Sequence, residues 1–173
     1  NMYLSSHIAA GYLAGKLTGA RGVIVALWVA GSLLPDMDGL WSHTVAGHHG
    51  LPHSPLFWIA VCGSGLALAR ATGIRFIQTA SLVIFCSAMI HLITDWATAR
   101  TVGIQWLYPL SETDFSLYQI EPARGDIPIT DMLGSSYIYF YLENRLLAVS
   151  EIAINVIALL IFIRAWSGRE KGR

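Results

Sequence analysis

Histidine and aspartate hold divalent metals through a neutral imidazole nitrogen and a carboxylate oxygen, and this sequence spaces them so that several could meet. His91 and Asp95 lie four apart in an apolar stretch, which puts an imidazole and a carboxylate on one helix face. Asp36 and Asp38 close another apolar stretch in Leu34-Pro35-Asp36-Met37-Asp38. The loop Gly47-His48-His49-Gly50-Leu51-Pro52-His53-Ser54 carries three histidines, and His7 stands near the start. A carboxylate from a helix end, an imidazole from a Gly/Pro loop and the helical pair would supply roughly four or five ligands. Such a site is hydrolytic in character, because a divalent ion lowers the pKa of bound water to near 7 and polarises a carbonyl or phosphoryl oxygen. Asp38, or whichever of His48 and His53 is not a ligand, is expected to act as general base or to orient a ligand. His43 has no supporting pattern and reads as a solvated loop residue.

The elements that must position these residues are membrane helices. The chain has 173 residues, of which 54% are hydrophobic and 13% charged, with a mean hydropathy of +0.54. Soluble domains carry about a quarter charged residues, so a water-soluble surface could hardly be built from so few charges. Net charge is zero, which implies no bulk attraction to nucleic acid. The expected fold is an all-α integral membrane bundle of about five helices, one domain over residues 1–173. The predicted segments are Ser6–Leu17, Gly22–Leu34 (stopped by Pro35), Pro55–Ala71, Phe76–Ala97 and Leu146–Trp166. Only the last two comfortably meet the ~20 residues of a full span. The first apolar stretch carries His7 and Lys16, unlike a cleavable signal peptide. Cys62 and Cys86 fall inside apolar runs and are expected to be buried, inert thiols.

Lys16, Arg21, Arg70, Arg75, Arg164, Arg169, Lys171 and Arg173 fall on one side if every segment crosses, and the positive-inside rule assigns that side to the cytoplasm. The histidines and site aspartates then lie on the extracytoplasmic side, with a long connection, about residues 100–145, folded on the membrane surface. His49, Arg100 and Arg124 are candidates to bind a substrate phosphate on that side. Glu151 and Asn155 share a face of the last helix, where an intramembrane acid is a functional suspect and a helix–helix hydrogen bond an equal alternative.

The ordered motifs Gly31-Ser32-Leu33-Leu34-Pro35-Asp36-Met37-Asp38, the histidine loop, His91-x-x-x-Asp95 and Trp106-Leu107-Tyr108-Pro109-Leu110-Ser111 resemble the YdjM-type family over roughly residues 5 to 115. That family is described as LexA-binding, inner-membrane-associated, metal-dependent hydrolases. The chain has His48-His49-Gly50 and Pro52-His53-Ser54 where the family usually reads His-Arg-Gly and Thr-His-Ser, so a phosphate-binding arginine is replaced. The ligand order is also similar to that of zinc-dependent phospholipase C and its nuclease relatives. That resemblance implies one ion on Asp36, His91, Asp95 and either His53 or His48, and a second sharing Asp95 and taking His7. No histidine follows His91, so a third ion is not implied. The expectation is a metal-dependent hydrolase with one or two divalent ions, zinc first and manganese or magnesium open, acting on a lipid or lipid-linked phosphoester. The alternative is a non-catalytic metal-binding regulator or partner-binding module. A transporter fits poorly, because the polar cluster sits at one membrane edge rather than mid-span.

Overall fold

The computed structural model describes residues 2–45, 47 and 49–170, which form six α-helices joined by loops and short 3-10 turns. The helices are α1 (Leu4–Leu17), α2 (Val23–Leu33), α3 (Pro55–Thr72), α4 (Arg75–Thr98), α5 (Ser135–Glu143) and α6 (Arg145–Glu170). The five expected segments are therefore present, with ends shifted by one or two residues except that α6 continues further, and the chain folds all-α. The sixth, α5, lies in the connection, where Tyr137, Phe140 and Tyr141, spaced three and four apart, form its buried face.

Three helices are long and apolar enough to cross a membrane: α3, α4 and α6, with mean hydropathies of 1.3, 1.9 and 2.6. At least three-quarters of the residues in each of these spans lie outside the buried core. Leu159, Leu160, Phe162 and Ile163 on α6 are all exposed, a surface that a water-soluble protein would have to cover. The shorter α1 and α2, with 14 and 11 residues, reach only about 21 and 17 Å at 1.5 Å per residue. They form a hairpin against α4, and α1 also packs on α6.

Helix ends follow local sequence. Pro55 opens α3, where its missing N–H costs nothing. Gly73 closes that helix with φ +71°, and its N–H donates to the Ala69 carbonyl at 2.9 Å. Pro35 ends α2 and opens the 3-10 turn Pro35–Leu40.

Packing around α4 relies on small residues, as expected where lipid leaves no hydrophobic force between helices. A Cβ at Gly31 of α2 would stand 2.8 Å from the Ser87 Cβ and 3.1 Å from the Ile84 backbone of α4. Gly11 of α1 lies as closely against α2, where a Cβ would meet the Trp28 carbonyl at 2.7 Å. Ser87 donates to the Trp28 carbonyl, which locks α2 to α4. One core cluster joins Trp58, Cys62, Ala88, Leu92 and Ile104; a second joins Val45, Tyr137 and Phe140 beneath the connection. Both cysteines are free thiols, and the expectation of burial holds for Cys62 but not for Cys86, which faces outward from α4.

Close approach at Gly31 makes a specific prediction. Gly31→Ala should destabilise the protein by about 1–3 kcal/mol, the usual cost of overpacking. Gly63→Ala on α3, where a Cβ would meet nothing within 4 Å, should be neutral or stabilising by up to about 1 kcal/mol. Thermal denaturation of both variants in detergent checks the contrast, and equal effects would contradict it.

Candidate metal centre

The centre is assembled at one end of the bundle, where α1 and α3 begin and α2 and α4 finish. His91 and Asp95, one turn apart on α4, are 0% and 1% exposed. Nδ1 of His91 lies 2.8 Å from the Ser32 carbonyl. A carbonyl only accepts, so Nδ1 carries the hydrogen and Nε2 turns a lone pair inward. The Pro35 turn then separates two aspartates. Asp36 faces the centre, whereas Asp38 accepts from the Gly50 N–H at 2.9 Å and from Nδ1 of His53 at 3.0 Å.

The histidine loop is pinned at several points. Trp58 Nε1 donates to the Pro52 carbonyl at 2.7 Å, and the Ser54 hydroxyl donates to the Tyr108 carbonyl at 2.6 Å. The latter gives the Trp106–Ser111 motif a physical task, holding the loop that carries His53. Nδ1 of His49 donates to the Gly103 carbonyl at 3.0 Å, so its Nε2 is also an acceptor aimed inward.

Six Nε2–carboxylate contacts and one ring pair define the interior. Asp95 Oδ2 lies 3.2 Å from Nε2 of His91 and 3.8 Å from Nε2 of both His53 and His49. Asp95 Oδ1 lies 3.2 Å from Nε2 of His7. Asp36 Oδ1 lies 3.5 Å from His91 and 3.6 Å from His53, and the Nε2 atoms of His53 and His91 are 3.3 Å apart. Two sets of ligand atoms lie close enough to hold an ion: His7, Asp36, His91 and Asp95, and His49, His53 and Asp95. Burial presses the His53 ring toward neutrality, but hydrogen bonds to Asp36 and Asp38 outweigh it and raise the ring to about 9. Burial would raise Asp36, yet the adjacent His91 ring and the hydrogen bond to His53 hold its carboxyl below its ordinary value. The pocket thus favours positive charge between its carboxylates. A proton on His53 Nε2 and a divalent ion are alternative ways to meet that demand.

Of the residues expected as ligands, His7, Asp36, His53, His91 and Asp95 all converge. His48 lies outside the described residues. His49, expected on substrate, instead joins the cluster, and no local pattern in the loop signals that its ring turns inward. Asp38, expected as a general base, is committed to His53 and Gly50 and acts by positioning. Arg100, expected on a phosphate, is 5% exposed, pairs with Glu151 at 3.0 Å and lies over the Tyr141 ring. Arg124 pairs with the exposed carboxylates of Glu121 and Glu143. His43 is exposed, as expected.

The carboxylate–histidine arrangement at Asp38 generates a prediction. Asp38→Ala should weaken binding of zinc or manganese by roughly 10–100-fold, the usual cost of losing a histidine's outer partner. Competition against a chelating indicator measures it, and an unchanged affinity would show that Asp38 does not orient His53.

Comparison with known proteins bears on the same residues. No curated protein and no solved structure gives a significant match. The model of the family described as YdjM inner membrane protein matches residues 2–169, nearly the whole chain including every residue of the cluster. The chain therefore belongs to the YdjM inner membrane protein family.

Proposed function

We propose that the chain is a membrane-bound metal-dependent hydrolase that cleaves a phosphoester of a lipid or lipid-linked substrate at the extracytoplasmic face. One observation carries the reading: imidazole lone pairs and carboxylate oxygens converge in a buried pocket, with the outer nitrogens of His49, His53 and His91 fixed by acceptors. Converging acceptors repel one another unless a cation lies among them. A mixed imidazole and carboxylate set suits zinc, with manganese also compatible, and such an ion would supply a Lewis acid and a water of lowered pKa.

The chain's own residues supply access and selectivity. Asp36, 18% exposed at its side chain, is the most open member of the cluster and marks the side from which substrate arrives. The loops that carry the centre present Leu40, Trp41, Leu51, Leu107 and Leu110 outward. That apolar fringe suits a substrate held by the leaflet rather than one free in water. Arg124, which lies over the Phe140 ring, pairs with exposed carboxylates that it can exchange for a phosphate at small cost. The near-closure of the centre favours one competing reading, a non-catalytic metal-binding protein that senses or regulates; turnover separates the two.

Purified full-length protein in mixed micelles should hydrolyse at least one of phosphatidic acid, phosphatidylglycerol and a polyprenyl diphosphate. Chelation should abolish that turnover and added metal restore it. Asp95→Asn and His91→Ala should each lower it by roughly 100-fold or more, since a lost ligand costs at least what a lost outer partner does. Stoichiometric metal without turnover on any of these lipids would favour the regulator.

Orientation has its own test, motivated by Lys16, Arg21, Arg70, Arg75 and Arg164, which the alternation of segments puts at the ends away from the centre. In a Cys62→Ala, Cys86→Ala background, Leu40→Cys should react with an impermeant maleimide in intact spheroplasts. Arg70→Cys should react only after lysis. The reverse pattern would place the centre in the cytoplasm.

A further inference from the structure

We propose that the groove between α1, α2 and α6 binds one anionic phospholipid, with an acyl chain in the groove and the phosphate at Lys16. None of the clustered histidines and aspartates lines this groove, so the site is separate from the metal centre.

α1 packs on both α2 and α6 and forms the floor between them. The groove encloses about 630 Å³. Small side chains give it depth: Ala9 of α1 and Ala158 of α6 are buried at its base, and Ala26 of α2 lies exposed along one wall. Val25, Val29 and Leu159 extend an apolar lining. An alkyl chain seated there touches protein on three sides, whereas one on a flat helix face touches it on one, so dispersion favours the groove.

The length and the ends of the groove decide which apolar occupant fits. Its lining runs from Ser5 to Lys16 on α1 and from Asn155 to Trp166 on α6. Either stretch of helix reaches about 17 Å, close to the ~15 Å depth of one leaflet. A transmembrane helix of a second copy would need a face roughly 30 Å long; an acyl chain needs only the leaflet's depth. Lys16 and Trp166 share one end, and those residue types settle together at the membrane–water boundary. That end opens at headgroup level, and the Ser5–Asn155 end lies deeper.

Charge identifies the headgroup. Lys16 Nζ lies 5.6 Å from the centroid of the Tyr12 ring, which itself lines the groove and meets Phe162 edge-on at 6.1 Å. The ammonium is thus held over the mouth. The chain has no Asp or Glu before Asp36, and among the described residues no carboxylate lines the groove. Arg21 and Arg164 adjoin the lining residues Gly22 and Ala165 in sequence and strengthen the positive field at that end. A net negative headgroup complements such a mouth, whereas a zwitterionic one brings an ammonium of its own against Lys16.

The test titrates phosphatidylglycerol or phosphatidylethanolamine with identical chains into delipidated full-length protein in detergent, with chelator present, and counts bound lipid by native mass spectrometry. Wild type should bind one phosphatidylglycerol about fivefold or more tightly than phosphatidylethanolamine, the attraction of one lysine for an anionic lipid. Lys16→Gln should lose that preference with phosphatidylethanolamine binding unchanged, and Lys16→Arg should keep it. Ala26→Phe, on the exposed wall, should lose the tight site for both lipids. A wild type without the preference, a Lys16→Gln protein that retains it, or an Ala26→Phe protein that binds as wild type would overturn the proposal. So would a wild-type dimer that Ala26→Phe separates, since the groove would then hold a second copy. Thermal midpoints guard against misfolding; should Ala26→Phe unfold, Ala26→Leu takes its place with the same expectation. Absent lipid turnover would sink the hydrolase reading alone, and absent headgroup preference this proposal alone.

Discussion

A single carboxylate, that of Asp95, sets what the rest of this structure must do. It is 1% exposed at the end of a membrane-spanning helix, where an unpaired charge is expensive. Every neighbour of consequence is turned toward it: His7 from α1, His91 from its own helix, His49 and His53 from the loop, and the Met2 backbone N–H at 3.1 Å. Three segments far apart in sequence therefore converge because one buried charge has to be compensated. The convergence overshoots simple compensation, since His49 and His91, whose Nδ1 atoms face carbonyls, turn acceptor nitrogens inward, and that surplus of acceptors suits the pocket to a metal ion.

Small residues make the convergence possible. Gly31 lets α2 approach the backbone of α4, and only at that distance can the Ser32 carbonyl meet Nδ1 of His91 at 2.8 Å. The same approach fixes where α2 stops and where the Pro35 turn delivers Asp36. Helix packing and ligand geometry are thus one constraint. A substitution that moves α2 outward would weaken the bundle and rotate the His91 ring together.

Much of this was legible in the sequence for identifiable reasons. The helix end at Pro35 and the helix start at Pro55 announced themselves, because proline acts through local backbone geometry. The His91–Asp95 pair followed from helical periodicity, and the shared end of the histidines from alternating segments. Other features depend on contacts across long separations and left no local sign. Asp36 and Asp38 are chemically identical and two apart, yet the turn sends one to the centre and the other beneath His53. His49 turns inward because of a carbonyl more than fifty residues away, that of Gly103. Arg100 looked available for phosphate only because its partner, Glu151, belongs to the last helix.

That last pair shows how the remaining intramembrane charge serves the same centre. Glu151 of α6 accepts from Arg100 at 3.0 Å, from the Ser6 hydroxyl at 3.3 Å and from the Tyr3 N–H at 3.2 Å. Tyr3 has no side-chain cap to offer the start of α1, so the carboxylate of a different helix supplies the negative charge that a helix N-terminus favours. Asn155, one turn further along α6, donates to the same Ser6 hydroxyl at 2.8 Å. His7 follows Ser6 directly. The buried acid, for which the sequence left a functional role and a helix–helix hydrogen bond equally open, is a clamp on α1, the helix that carries His7 to Asp95. A buried ion pair contributes little net stability, because desolvation offsets its attraction; its value here lies in fixing the position of α1. Two buried carboxylates, Asp95 and Glu151, thereby divide the work: one gathers the imidazoles, and the other holds in place the helix that brings the most distant of them.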